Sequence, residues 1–285
     1  MVNKISIEQR KKVFDLLCRD SSPDFIKYLR AYEGIPRPPS ESFEISCELI
    51  NGIRNDSARL AVFDICRQDV LRWLSACQRQ VPLIQDLLFE NATDECFMIG
   101  LADYPSSSRG CRFKIYNEYS SSLSQIGDGG HAQRLFSLLN ISDVAFKKDL
   151  DLFKKVKIAA IEWDHQQRAI IKVYFGNFHL EQLFTSFSEA LFKDELLCYD
   201  NLRKKALLPE IFHICVRYSP QGRSIKMEFN CQTRRVVPYF EMFDQQRQAA
   251  KFFADLFRIT PGLRLEFLSV QWLPAPKVQY YFLLQ

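Results

Sequence analysis

The sequence predicts a ten-stranded antiparallel β-barrel wrapped by α-helices, an α/β fold built from five helix–strand–strand units in one domain over 1–285. Three observations predict it. Short segments of alternating hydrophobicity come in pairs, the pairs are divided by turn signals, and after every pair but the last the period changes to the 3.6-residue spacing of an amphipathic helix. One such unit cannot bury its apolar strand face alone, whereas five closed into a barrel bury all of them together.

The strand pairs fall at 43–49 with 58–64, 96–102 with 111–117, 156–164 with 168–175, 210–218 with 223–230, and 264–272 with 277–284. Ser219-Pro220-Gln221-Gly222 and Pro274-Ala275-Pro276 supply turn chemistry inside the fourth and fifth pairs. Helical stripes occupy 7–18, 66–79 (Val70, Leu71, Trp73, Leu74, Cys77), 131–140 (Leu135, Phe136, Leu139), 178–193 (Leu180, Leu183, Phe184, Phe187, Leu191) and 239–257 (Met242, Phe243, Phe253, Leu256, Phe257). Pro36-Arg37-Pro38-Pro39 reads as an entry loop, and Tyr119–Ser124 and Gly127–Gly130 as surface loops.

Composition narrows the function. The 285 residues are 47% hydrophobic and 25% charged, with a net charge of +4 spread along the chain and no run of five or six like charges, which gives nucleic acid or a membrane surface little support as a partner and leaves nucleic acid a weak alternative. No secretory leader and no 18-residue apolar stretch occurs, so a cytoplasmic protein is expected. A monomer is expected as well. Nine cysteines without CxxC spacing read as buried thiols, and four scattered histidines make no metal cage, so no protein-held metal is expected.

Because side chains alternate along a strand, each strand has two readable faces. One is apolar: Phe43, Ile45, Cys47 and Leu49, then Phe113 with Ile115, Ile171 with Val173, Ile214 with Val216, and Met227 with Phe229. These should meet the helices. The other face carries Glu44, Ser46, Glu48, Arg59, Arg112, Lys114, Tyr116, Lys172, Tyr174, His213, Cys215, Arg217, Lys226, Glu228, Lys277, Gln279 and Tyr281. The second strand of every hairpin presents a cation, Arg59, Lys114, Lys172, Lys226 and Lys277, recurring every 51 to 58 residues. This face would be the wet side of an open sheet or the lining of a closed barrel. Closure is favoured because an open ten-stranded sheet leaves two edges to protect. Five cations converging inside a barrel repel one another and call for a polyanion, which a diphosphate supplies.

Particular runs resemble a known family. Glu44-Ile-Ser-Cys-Glu48 followed by Arg59 is similar to the first hairpin of cyanobactin prenyltransferases, peptide-modifying enzymes of the ABBA or PT-barrel superfamily. Gly222-Arg-Ser-Ile-Lys226-Met-Glu-Phe229 and Lys277-Val-Gln-Tyr-Tyr281 are similar to bacterial aromatic prenyltransferase segments, the former to one whose basic residue binds diphosphate.

The resemblance implies an isoprenyl diphosphate donor, dimethylallyl or geranyl, with Mg²⁺ held through the diphosphate, and a side chain of a ribosomal peptide as acceptor. Glu44 would be the acceptor base, and Arg59, Arg112, Lys114, Lys172, Arg217, Lys226 and Lys277 would grip the diphosphate. Tyr116, Tyr174 and Tyr281 would shield the allyl cation from water. The additional acids Glu48 and Glu162, with Asp164 or Glu228, would suit a cationic acceptor such as an arginine guanidinium, although Glu48 paired with Arg59 is an equal reading. Tyrosine, tryptophan or a small aromatic compound is the alternative acceptor. A non-catalytic ligand-binding barrel is a further alternative and would predict an apolar interior. Another phosphate-handling enzyme would need a Gly-rich phosphate loop or metal carboxylates, and neither GxxxxGK[ST] nor GxGxxG is present.

Overall fold

The computed structural model describes residues 5–35, 42–56, 58–77, 97–104, 111–118, 130–154, 156–163, 168–179, 211–220, 222–233, 235–244, 246–271 and 277–284. Ten long strands close into one antiparallel barrel: β1 (Phe43–Ile50), β3 (Ala58–Ile65), β4 (Phe97–Asp103), β5 (Arg112–Glu118), β6 (Val156–Trp163), β7 (Ala169–His179), β8 (Ile211–Ser219), β9 (Gly222–Thr233), β10 (Arg264–Gln271) and β11 (Lys277–Leu284). Each pairs with its neighbour in this order, and β11 returns to β1 over the whole register from Phe43 opposite Leu284 to Ile50 opposite Lys277. A two-residue strand β2 (Ile53–Arg54) folds back on the end of β1 through Asn51 and Gly52, both at positive φ. This spur is an addition to the ten expected strands.

Seven described helices accompany the barrel: α1 (Ile7–Cys18), α2 (Pro23–Glu33), α3 (Arg67–Ala76), α4 (Gly130–Leu138), α5 (Val144–Phe153), α6 (Val237–Phe243) and α7 (Gln248–Ile259). Ser6 opens α1 with a capping box to Gln9, and Ser22 with Pro23 opens α2. Asp103 at the end of β4 accepts hydrogen bonds from the Ser22 backbone N–H at 2.7 Å and its hydroxyl at 2.6 Å, which ties α2 to the barrel.

The main core lies between helices and strands. Phe43, Ile45, Cys47, Leu49, Phe113, Ile171, Val173, Ile214, Val216, Met227 and Phe229 are all buried there, with Phe14, Phe25 and Trp73 from the helices. The face expected to be apolar is therefore the one the helices cover.

Several expectations need correction. Helices α2 and α5 were not anticipated. The stripe at 239–257 is broken: Asp244 leaves the helix, Arg247 takes φ 55°, and the Asp244 carboxylate accepts from the N–H groups of Gln248 and Ala250 at 2.8 Å each, starting a new helix. An aspartate that caps a fresh helix outweighs a continuous apolar stripe. Residues 178 and 179, expected to begin a helix, extend β7, and the rest of that stretch lies outside the described residues, as do 36–39, 119–124, 127–129 and 274–276. Gly130 opens α4 instead of closing a loop. Among the described cysteines, Cys66 is exposed and Cys18 and Cys231 are half-buried instead of buried, and none forms a disulfide.

Candidate active site

The second face of the strands points into the barrel and lines a chamber of about 420 Å³. Glu48, Arg59, Arg112, Glu162, Lys172, Arg217, Lys226 and Lys277 border it. A narrow continuation, nearly filled by side chains, is bordered by Glu44, Lys114, Tyr116, Tyr174 and Tyr281, with Arg59 and Lys226 shared between the two parts. Thirteen of the residues singled out from the sequence thus reach one interior. Its two ends differ: one is crowded with cations, the other with phenol rings.

At the cationic end the strand register sets the charges. Lys114 of β5 lies opposite Glu162 of β6, and Arg112 and Lys172 approach the same carboxylate from β5 and β7. Glu162 is bonded to Arg112 Nη1 at 2.5 Å and Lys172 Nζ at 2.5 Å, with Lys114 Nζ at 3.4 Å. Against the cost of burial, Lys172, Lys114 and Arg112 hold the Glu162 carboxyl well below the usual carboxylate range. Burial and the neighbouring Lys172 push Lys114 down well below an ordinary lysine.

A second cluster forms on β1, β3 and β11. Glu48 accepts from Arg59 Nη1 at 2.9 Å and from Asn55 Nδ2 at 2.9 Å, and pairs with Lys277 at 2.8 Å. Burial would raise its pKa, yet Lys277 and Arg59 win and hold it low. Asp56 stands 3.5 Å from Arg59 Nε and accepts from the Glu48 backbone N–H, and burial lifts its pKa to about 6. Arg59 also donates to Tyr104 Oη at 2.6 Å, and the Arg112 guanidinium lies 5.4 Å from the same ring.

These bonds change one expectation. Glu48 and Glu162, expected to face an acceptor, are bonded to cations, and the pairing of Glu48 with Arg59 is the reading that the geometry follows. Both carboxylates stand among the cations of the lining. Neither carboxylate neutralises its surroundings, however: three cations surround Glu162 alone.

At the phenolic end Lys226 Nζ is bonded to Glu228 and to Tyr281 Oη at 2.8 Å, while Tyr281 Oη donates to Glu228 at 3.0 Å. The ammonium group lies 5.8 Å from the Tyr174 ring and 5.4 Å from the Tyr281 ring. Tyr116 and Tyr174 face each other at 6.2 Å and pack with Ala160 and Cys215 into a small apolar cluster inside the barrel. Gly100 makes room here, because a Cβ would come within 3.1 Å of the Tyr116 ring.

Glu44 opens onto this end. Burial, and then the charge of Glu228, push its pKa up to about 8, and its carboxyl makes no hydrogen bond or ion pair with the described residues. Among the chamber carboxyls Glu48, Glu162 and Glu228 are each committed to a cation, whereas Glu44 is held in reserve.

Tyr104 and Asp56 were not assigned site roles from the sequence. Tyr104 continues the alternation of β4 beyond residue 102, where the strand was expected to stop, so its inward side was legible. Glu228, expected as a further acid suited to a cationic acceptor, is instead bonded to Lys226 and Tyr281. Asp56 lies in the turn before β3, and no periodicity marks it. Asp164 lies outside the described residues.

No group of three or more His, Cys, Asp or Glu able to hold a metal occurs among the described residues. With Glu48, Glu162 and Glu228 already bonded to cations, the lining does not fit a Mg²⁺ held by the protein itself.

Solved structures share this architecture at low identity. PriB, in a binary complex with product diphosphate, aligns with a TM-score of 0.62 at 13% identity over 96% of this chain and 94% of its own. The fold is the ABBA barrel. The 5-dimethylallyl tryptophan synthase of Streptomyces coelicolor, solved with DMASPP and Trp, shares the ABBA barrel with a TM-score of 0.61 at 12% identity over 96% of this chain and 92% of its own. AnaPT from Neosartorya fischeri gives 0.62 at 11% identity over 97% and 94%. No protein-family model and no curated protein matches the sequence. None of the described helices of this ABBA barrel is long and apolar enough to cross a membrane.

Proposed function

We propose that the chain is a prenyltransferase that ionises dimethylallyl or geranyl diphosphate inside the barrel and passes the allyl group to a side chain of a ribosomal peptide of the cyanobactin type. The observation that carries this reading is the division of labour among the chamber carboxyls: all but Glu44 are spent on cations, and Glu44 faces the phenolic end without a partner among the described residues.

In this reading the allylic C–O bond breaks and its electron pair leaves with the diphosphate, whose charge Arg59, Arg112, Lys114, Lys172, Arg217, Lys226 and Lys277 stabilise. Tyr116, Tyr174 and Tyr281 flank the allyl cation and keep water from it. Glu44 removes a proton from the acceptor, and the electron pair so released forms the new bond to carbon. Glu48 and Glu162 position cations. The diphosphate complex of PriB and the DMASPP complex of the tryptophan synthase support the donor half.

For the acceptor we favour an arginine guanidinium, which the reserved Glu44 carboxylate would bind through two parallel N–H bonds. The tryptophan bound to the Streptomyces enzyme favours an aromatic acceptor as the second reading. A charged lining speaks against a passive carrier of apolar ligands. Mg²⁺ belongs to this proposal only as a companion of the bound diphosphate: titration with Mg²⁺ alone is expected to show no binding.

Incubation with each donor, Mg²⁺ and peptides offering Arg, Tyr or Trp, read by mass, tests the proposal. A gain of one prenyl unit on the Arg peptide is expected. No adduct and no diphosphate release with any combination would defeat the catalytic reading, and adducts on Tyr or Trp alone would move the acceptor to the second reading.

A further inference from the structure

The geometry points to Glu162 as a releasable counter-ion that holds Arg112, Lys114 and Lys172 until a diphosphate takes those cations from it. The inference rests on the diphosphate reading above and concerns what controls how tightly the chamber binds that group and how readily it lets it go.

Glu162 stands where strand pairing concentrates positive charge. Arg112 and Lys114 reach it from β5 and Lys172 from β7, and Arg112, Glu162 and Lys172 all border the 420 Å³ chamber. The Glu162 side chain is 3% exposed and those of the cations 12%, 7% and 11%, so all four have surrendered most of their water. Tyr104 and Tyr116 are the other titratable groups whose fields reach it. Three buried cations with no anion would repel one another and pay heavily for lost hydration, and one carboxylate removes part of that cost.

One carboxylate against three cations leaves an excess of positive charge facing the chamber. A diphosphate brings more charge and more acceptor oxygens than Glu162 offers, so each cation can exchange a carboxylate oxygen for a phosphate oxygen and stay paired with an anion throughout. The exchange carries a penalty, because Glu162 then stands buried beside an anion with its former partners turned away. That penalty weakens the hold on the diphosphate. When the leaving group must depart, the carboxylate offers the cations an anion to return to, and the barrier to release falls.

A merely structural Glu162 predicts the opposite dependence. If the carboxylate only steers the three cations into place, neutralising it disorders them and weakens diphosphate binding. A counter-ion that competes with the ligand, once neutralised, tightens it.

Calorimetric titration with inorganic pyrophosphate, without donor or acceptor, separates the two. Glu162→Gln is expected to bind pyrophosphate about tenfold more tightly than the wild type, because a like charge set beside the bound anion opposes binding. In turnover the same variant is expected to lower KM and kcat together, as product release slows. Unchanged or weaker binding by Glu162→Gln overturns the counter-ion role. Failure of the wild type itself to bind pyrophosphate instead overturns the diphosphate reading. If Glu162→Gln loses cooperative melting, Glu162→Asp keeps the charge but withdraws it by one methylene. It is then expected to tighten pyrophosphate binding about threefold, and equal or weaker binding overturns the proposal.

Discussion

Glu44 carries opposite demands on stability and on chemistry. An ordinary glutamic acid gives up its proton near 4.5, whereas this one keeps it up to about pH 8 because burial and Glu228 disfavour the charge. Between those values the unfolded chain binds fewer protons than the folded one, so the residue's contribution to stability falls as pH rises from about 4.5 to about 8. In the role proposed for it, by contrast, Glu44 becomes competent as a base only as that proton leaves. The rate of transfer is therefore expected to climb with pH through about 8, and a profile flat between pH 6 and 9 would count against Glu44 as base. Glu44→Gln should slow transfer by about 10²- to 10⁴-fold with pyrophosphate affinity kept, the range for losing one general base. The same variant should melt higher than the wild type at pH 8. Tyr281 offers a complementary test: Tyr281→Phe keeps the ring but removes the hydroxyl that bonds Lys226 and Glu228, and it is expected to weaken donor affinity more than it alters water quenching of the cation.

The elements differ in how openly the sequence announces them. The ten strands of the barrel stood out because inside and outside make different chemical demands, cations and phenols on one face, Ile, Val and Phe on the other, and the period of two survives in every hairpin. Helix α2 had its own signal, Ser22-Pro23 ahead of Phe25, Tyr28, Leu29 and Tyr32, which a search for one helix per strand pair passed over. The break between α6 and α7 was masked by a stripe that continues across it, from Met242 and Phe243 to Phe253 and Leu256. Asp244 makes the break, so it is the residue to test: Asp244→Ala strips the carboxylate from two helix-start N–H groups and is expected to cost about 1–2 kcal/mol, read as a lower midpoint in urea. In the chamber, the identity of the inward cations was legible and their partners were not. Lys114 meets Glu162, and Lys277 meets Glu48, through strand registers set by the lengths of intervening loops, and a register is a property of two strands that neither displays alone.

At the scale of the molecule, closure between β1 and β11 converts a sheet with two open edges into a chamber. Removing residues 277–284 should expose β1 and β10 together and abolish cooperative melting in circular dichroism, since the barrel core and the Lys277–Glu48 pair both depend on that strand. Ligand linkage is expected to act on the same scale: pyrophosphate at a hundred times its dissociation constant adds about 2.7 kcal/mol of stability. That corresponds to a rise of roughly 4–5 °C in Tm for a chain this size, and an unchanged midpoint would speak against a diphosphate site. The recurrence of one cation in the second strand of every hairpin has a separate consequence. A ring of identical subunits would reach the same convergence of charge through rotational symmetry, but one gene substitution would then alter every copy at once. Here the ring is written out in a single chain, as Arg59, Lys114, Lys172, Lys226 and Lys277, so natural variation can retune each position independently and reshape what the interior accepts while the scaffold stays the same.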